Sequence, residues 1–154
     1  MLTYQALFEP AVEGGFVITF PDLPFGVSQA DSEEDGVIEA VALLETIIGE
    51  LIKKGEPFPA AKRRRGQNYR SVVLPSLSSV KAELYREFLA SGIRKAELAK
   101  HLEISEGHLE RLFDFRRGRR LELLEAAFSA LGKRLVIEVV PTKPPTGHRN
   151  SAAG

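Results

Sequence analysis

Apolar and polar positions alternate from Leu2 to Phe8, with Leu2, Tyr4, Ala6 and Phe8 on one side and Thr3, Gln5 and Leu7 on the other. A period of two predicts a strand. Glu13-Gly14-Gly15 supplies a turn, and Phe16 to Phe20 returns as a second strand of an antiparallel hairpin. Pro21 to Gly26 breaks the pairing, and Val27-Ser28-Gln29 makes a short third strand. The period then lengthens. Ser32 offers an N-cap, and Glu33, Glu34 and Asp35 suit the positive end of a helix running to about Lys54. Its predicted core positions are Val37, Val41, Leu44, Ile48 and Leu51, and Gly55 caps its end.

Gly55 to Asn68, with Pro57, Pro59 and the basic run Lys62-Arg63-Arg64-Arg65, reads as a linker. It is either a solvated spacer or a patch that touches phosphates. Tyr69 to Leu74 is one more strand. Pro75 ends it, and Ser76 or Ser78 caps a helix carrying Val80, Leu84, Phe88 and Leu89 to Gly92. Lys95 to Phe113 reads as two short helices around a tight turn. Leu98, Ala99 and Leu102 lie on the first helix, Ile104 in the turn, and Leu109, Leu112 and Phe113 on the second, with Ser105 as its N-cap. This is the spacing of a helix-turn-helix, whose second helix enters a DNA major groove. The same spacing also serves any packed helical hairpin. Glu103 stands where such turns often carry Gly, which predicts a strained φ. Leu121 to Leu131 is a further helix. Leu135 to Val140 reads as a strand that must either join the N-terminal sheet or pair with a second copy, the latter being favoured. Pro141 to Gly154 has the composition of a disordered tail.

The expected fold class is therefore α+β. A small β-β-β-α-β domain spans residues 1–74, with its basic, proline-containing loop at 55–68. An all-α helix-turn-helix domain with a C-terminal dimerisation strand spans 75–140, and a tail spans 141–154.

Charge sharpens this division. The 154 residues are neutral overall, but residues 1–60 hold two basic against eleven acidic residues, net −9, and residues 61–154 hold nineteen against ten, net +9. Two surfaces with different partners follow: the basic half suits a polyanion and the acidic half a basic protein. With no cysteine, disulfides and thiolate metal sites are excluded. No apolar run reaches the length of a membrane span and no signal-peptide layout opens the chain, so the expectation is a cytoplasmic protein.

In the second helix of the pair, Glu106, Gly107, His108 and Arg111 lie off the apolar face and are candidate DNA contacts together with Lys95 and Ser105. Arg111 is the candidate bidentate reader of guanine. Arg116, Arg117, Arg119 and Arg120 follow as phosphate contacts. The carboxylates Asp22, Asp31, Glu33, Glu34 and Asp35 raise the question of two-metal nuclease chemistry, which needs several carboxylates converging on paired ions. Cap and dipole roles account for most of them, and no carboxylate falls within the first two strands. No catalytic residue, metal or cofactor is expected, and His101 and His108 need not share a face.

The order of motifs resembles the HicB antitoxins of bacterial toxin–antitoxin pairs over essentially Leu2 to Val140. The resemblance is carried by Glu13-Gly14-Gly15-Phe16, Asp22-Leu23-Pro24, Ser28-Gln29-Ala30-Asp31-Ser32 and the prolines 57 and 59. Leu98-Ala99, Arg111-Leu112-Phe113 and Ala130-Leu131-Gly132-Lys133 resemble the helix-turn-helix subtype of that family. Ala30 and Gly36 depart from it, standing where Gly and Ala respectively are expected. Gly36 costs about 1 kcal/mol of helix propensity. The resemblance implies a degenerate RNase H-like domain that neutralises a HicA-like mRNA interferase toxin. It also implies a half that represses its own operon on double-stranded operator DNA, and the strand at 135–140 adds the expectation of a homodimer. Asp22, Phe25, Asp31, Glu33 and Glu34 become candidate toxin contacts, and Leu135, Ile137 and Val139 candidate dimer contacts. Two other readings stay open: a stand-alone helix-turn-helix regulator with a ligand-sensing N-terminal domain, and a structural dimerisation module.

Overall fold

A computed structural model describes residues 2–142. Its elements are β1 (Thr3–Pro10), β2 (Phe16–Thr19), β3 (Val27–Ala30), α1 (Glu33–Lys53), β4 (Tyr69–Val73), α2 (Ser76–Ser91), α3 (Lys95–His101), α4 (Glu106–Phe113) and α5 (Leu121–Ala130). The protein is α+β, with one four-stranded antiparallel sheet ordered β3-β2-β1-β4. The β-β-β-α-β succession expected from the sequence is present in that order.

Alternation decides which face of the sheet is covered. Tyr4, Ala6 and Phe8 of β1, Ile18 of β2 and Val72 of β4 are buried beneath α1. The α1 core stripe is Gly36, Ala40, Leu44, Ile47, Ile48, Leu51 and Ile52. The predicted stripe is thus corrected at its start: Val37 is 48% exposed and Val41 only half-buried. The reason is Gly36, which lets the helix approach the sheet more closely than any side chain there would, and so turns Val37 outward.

Residues 55–68 are not a free spacer. The Tyr4 hydroxyl donates to the Pro59 carbonyl at 2.5 Å, and the Tyr85 hydroxyl to the Glu56 carbonyl at 2.8 Å. Phe58 packs on Tyr85 with ring centroids 5.3 Å apart. Asp22 accepts from the Lys62 N–H at 2.8 Å and from Arg64 Nη2 at 2.7 Å. The segment therefore ties the sheet to α2, and a single apolar core runs from β1 through α2 into α4 and α5.

Helix α2 begins without a serine cap. Pro75 occupies the N-cap, while the Ser78 hydroxyl donates to Glu45 at 2.6 Å and that of Ser79 to the Leu74 carbonyl at 2.9 Å. Both serines are buried toward the first half of the chain, so their hydroxyls serve tertiary contacts. Residues 133–142 form neither helix nor strand. The predicted strand at 135–140 does not join the sheet. Ile137, Val139 and Val140 are exposed, Val139 at 94%, and only Leu135 is half-buried. Most of the expected 141–154 tail lies outside the described residues. Among those described, no helix is long and apolar enough to cross a membrane.

Candidate functional site

The α3–α4 pair is built as its spacing predicts. Leu98 and Ala99 of α3 and Leu109, Leu112 and Phe113 of α4 are buried, with Leu102 and Ile104 half-buried between them. Glu103 takes φ +55, the one non-glycine residue at positive φ among the described residues. Its N–H donates to the Lys100 carbonyl, and that of Ile104 to Ala99, which closes the turn. Ser105 caps α4, its hydroxyl accepting from the His108 N–H at 3.1 Å. Phe113 anchors the far end of α4 against α2, 5.8 Å from the Tyr85 ring and 5.3 Å from Phe88.

This packing leaves one stripe of α4 in solvent: Glu106, Gly107, Glu110 and Arg111. Three of these four are among the candidate DNA contacts. His108 is half-buried beside the apolar face, so it stands apart from them. Glu110 was missed, although its i+4 spacing from Glu106 marks the same face. Lys95 Nζ lies 3.7 Å from Glu110, which ties the start of α3 to this stripe. Arg116, Arg117, Arg119 and Arg120 are all exposed in the turn that follows α4. A cleft of about 940 Å³ separates this surface from the outer side of α1. Gly107, Glu110, Arg111, Arg116 and Arg117 line one wall, and Ala42, Thr46, Gly49 and Lys53 contribute to the other.

One residue of this region escaped the sequence reading. Lys81 of α2 is fully buried, and its ammonium donates to the carbonyls of Arg111 (3.3 Å), Asp114 (2.5 Å) and Arg117. Burial pushes its pKa down to about 8; the Asp114 carboxylate works the other way and Arg119 adds to the fall. The signal was available, since Lys81 occupies the helical stripe of Ser78, Tyr85 and Phe88 where an apolar residue belongs.

The acidic candidates divide. The Asp22 side chain is buried and its carboxylate is taken up by Arg64 and the Lys62 N–H. Burial works against its charge, but the Arg64 hydrogen bond and the neighbouring positive charges outweigh it, holding the carboxyl below the usual carboxylate range. Glu33 pairs with Arg70 at 2.6 Å, and the Arg70 guanidinium lies over the Phe8 ring. Asp31 and Glu34 are exposed, and Phe25 is partly exposed beneath the Lys54 ammonium, 5.1 Å from its ring. Beside them lies an apolar surface, which takes in Val37 from the expected core stripe. Ile38 is 67% exposed, next to Val37, and Val27 is exposed on edge strand β3. Asp31, Asp35 and Glu39 surround Ile38 in a shallow hollow between β3 and α1. Among the described residues no cluster of three or more His, Asp or Glu is placed to hold a metal ion.

Residues 3–83 match the family model of HicB-like antitoxins of bacterial toxin–antitoxin systems. The chain is 28% identical over 138 residues to antitoxin HicB 1 of Photorhabdus laumondii, covering 90% of this chain and 87% of that one. It is 27% identical over 140 residues to antitoxin HicB of Pseudomonas fluorescens, covering 88% and 96%. Antitoxin HicB of Escherichia coli is 27% identical over 139 residues, covering 90% of this chain and all of its own length. The matched model spans more than half of the chain, so the protein belongs to the family of HicB-like antitoxins of bacterial toxin–antitoxin systems.

Proposed function

We propose that this protein is a non-enzymatic antitoxin that neutralises a HicA-like mRNA interferase through its acidic N-terminal half. It represses its own operon by binding operator DNA through α3 and α4, read as a helix-turn-helix. The observation that carries the DNA-binding part is the solvent-facing stripe of α4, bearing Arg111, followed at once by four exposed arginines. A recognition helix needs one face free for base edges and cations flanking it for phosphates.

The toxin-binding part is supported by the net −9 of residues 1–60, by Ile38 standing exposed among Asp31, Asp35 and Glu39, and by the exposure of Val27 and Val37. Apolar anchors inside a charged rim are the usual anatomy of a protein interface, and the acids suit a basic RNase. Dimerisation is read from residues 135–140, whose apolar side chains beyond Leu135 find no cover within one chain and would pair with the same segment of a second copy.

The test is to purify the tagged protein from its own host without denaturant and weigh the native complex. A stoichiometric small basic companion, lost at high salt, together with retention of the DNA upstream of its own gene, is the expected result. A homodimer that binds that DNA with no companion would leave the stand-alone regulator as the better reading. Sedimentation as a monomer would remove the dimer.

A further inference from the structure

We propose that Lys81 is the positioning residue of the DNA-binding surface: its buried ammonium locks the turn carrying Arg116 and Arg117 onto the end of α4. This rests on the reading of α4 as the DNA-contacting helix. The last carbonyls of a helix have no partners within it, and they carry the negative end of its dipole. Here the chain does not end α4 with a glycine cap. Asp114 stands at the C-cap in an extended conformation, and the turn folds back. Gly118 allows this return, at φ +63 and with the Arg111 carbonyl 2.9 Å from where a Cβ would sit. The fold-back aims three carbonyls, those of Arg111, Asp114 and Arg117, at one point inside the protein. Lys81 fills that point.

The match is one of number as well as charge. An ammonium has three N–H donors and no acceptor, and three acceptors meet it. A neutral apolar side chain would leave the Arg117 carbonyl unpaired, and the carbonyls of Arg111 and Asp114 with only the N–H groups of Asp114 and Arg117. The turn is closed on its outer side by Asp114, which accepts from the Arg116 N–H at 2.8 Å and lies 3.8 Å from Arg117 Nε. Lys81 thus holds the turn from within and Asp114 from without, while both guanidiniums stay in solvent. Fixed in this way, the arginines meet a phosphate track without first having to be ordered.

The chain has no cysteine, which permits a chemical test. Lys81→Met and Lys81→Cys are made in the full-length protein, and a portion of the second is alkylated with 2-bromoethylamine to rebuild an ammonium at the same reach. Binding is measured on a duplex of the DNA upstream of its own gene and on an unrelated duplex, across a range of salt. Wild-type protein that does not prefer the upstream duplex would overturn the DNA-binding reading itself. Given that preference, Lys81→Met should weaken binding at least about tenfold and flatten the log–log salt slope by about one to two, the share of the two misplaced arginines. The amides of Asp114 and Arg117 should exchange faster while β1–β4 resonances stay unchanged, and aminoethylation should restore affinity. A folded Lys81→Met that binds like wild type, or an aminoethylated protein that regains stability but not affinity, overturns the proposal. Should Lys81→Met not fold, Gly118→Ala disturbs the same turn from the surface. Unchanged affinity in that variant would equally overturn it.

Discussion

The ring of Phe8 lies against the bare Cα of Gly36: a Cβ placed there would come within 2.7 Å of Phe8 Cε2. Helix propensity alone would favour alanine over glycine at this position by about 1 kcal/mol. Phe8 is fully buried and cannot withdraw, so overpacking of about 1–3 kcal/mol outweighs that gain. Gly36→Ala should destabilise the protein by about 1 kcal/mol in denaturant unfolding, and Phe8→Leu in the same chain should turn the substitution neutral or favourable.

Glu103 poses the opposite case. Its φ of +55 costs a side-chain-bearing residue about 1–2 kcal/mol, while glycine adds back up to about 1 kcal/mol of unfolded-state entropy. Glu103→Gly should therefore raise stability by about 0.5–1 kcal/mol. An unchanged or lowered midpoint would mean that the carboxylate makes a compensating interaction in solution.

Asp22 sets a pH dependence. Its carboxyl is held below the usual carboxylate range by Arg64 and the Lys62 N–H, so the folded state binds fewer protons than the unfolded one in that window. Its contribution is present above the unfolded-state pKa and fades as pH falls through the folded one. Asp22→Asn should lower the melting temperature near neutrality and leave a shallower acid limb below about pH 4. An acid limb identical to wild type would assign the acid sensitivity to other carboxylates.

Ile38 is the proposed centre of the toxin surface. Ile38→Arg replaces an exposed apolar anchor with a cation facing a basic partner, and should weaken the complex by about 2 kcal/mol or more, roughly thirtyfold, without lowering the melting temperature. Full affinity in titration calorimetry would move the interface elsewhere, to Phe25 or to the open face of the sheet.

Arg111 separates base reading from phosphate anchoring. Arg111→Ala should cost about 1–3 kcal/mol on the operator and relax the preference at a single base position. A loss that is uniform across operator variants would make Arg111 a phosphate contact instead.

The sequence by itself determined the elements. The period-two run at Leu2–Phe8, the Ser32 and Ser105 caps and the strained turn residue Glu103 are local preferences, set by neighbours in the chain. The stripe of α4 that holds Arg111 was also legible, because helical periodicity fixes which side chains face away from a packed partner. Tertiary structure decided the rest. Whether Val37 and Ile38 are core or surface depends on how closely α1 meets the sheet, and that distance is set by Gly36 against Phe8, twenty-eight residues apart. Asp22 is structural because the chain returns Arg64 to it from forty-two residues away, and Lys81 is buried because the turn after α4 brings three carbonyls to it. An ionisable group is stable in a protein interior only with its partners in place, and those partners come from distant segments that no local pattern encodes.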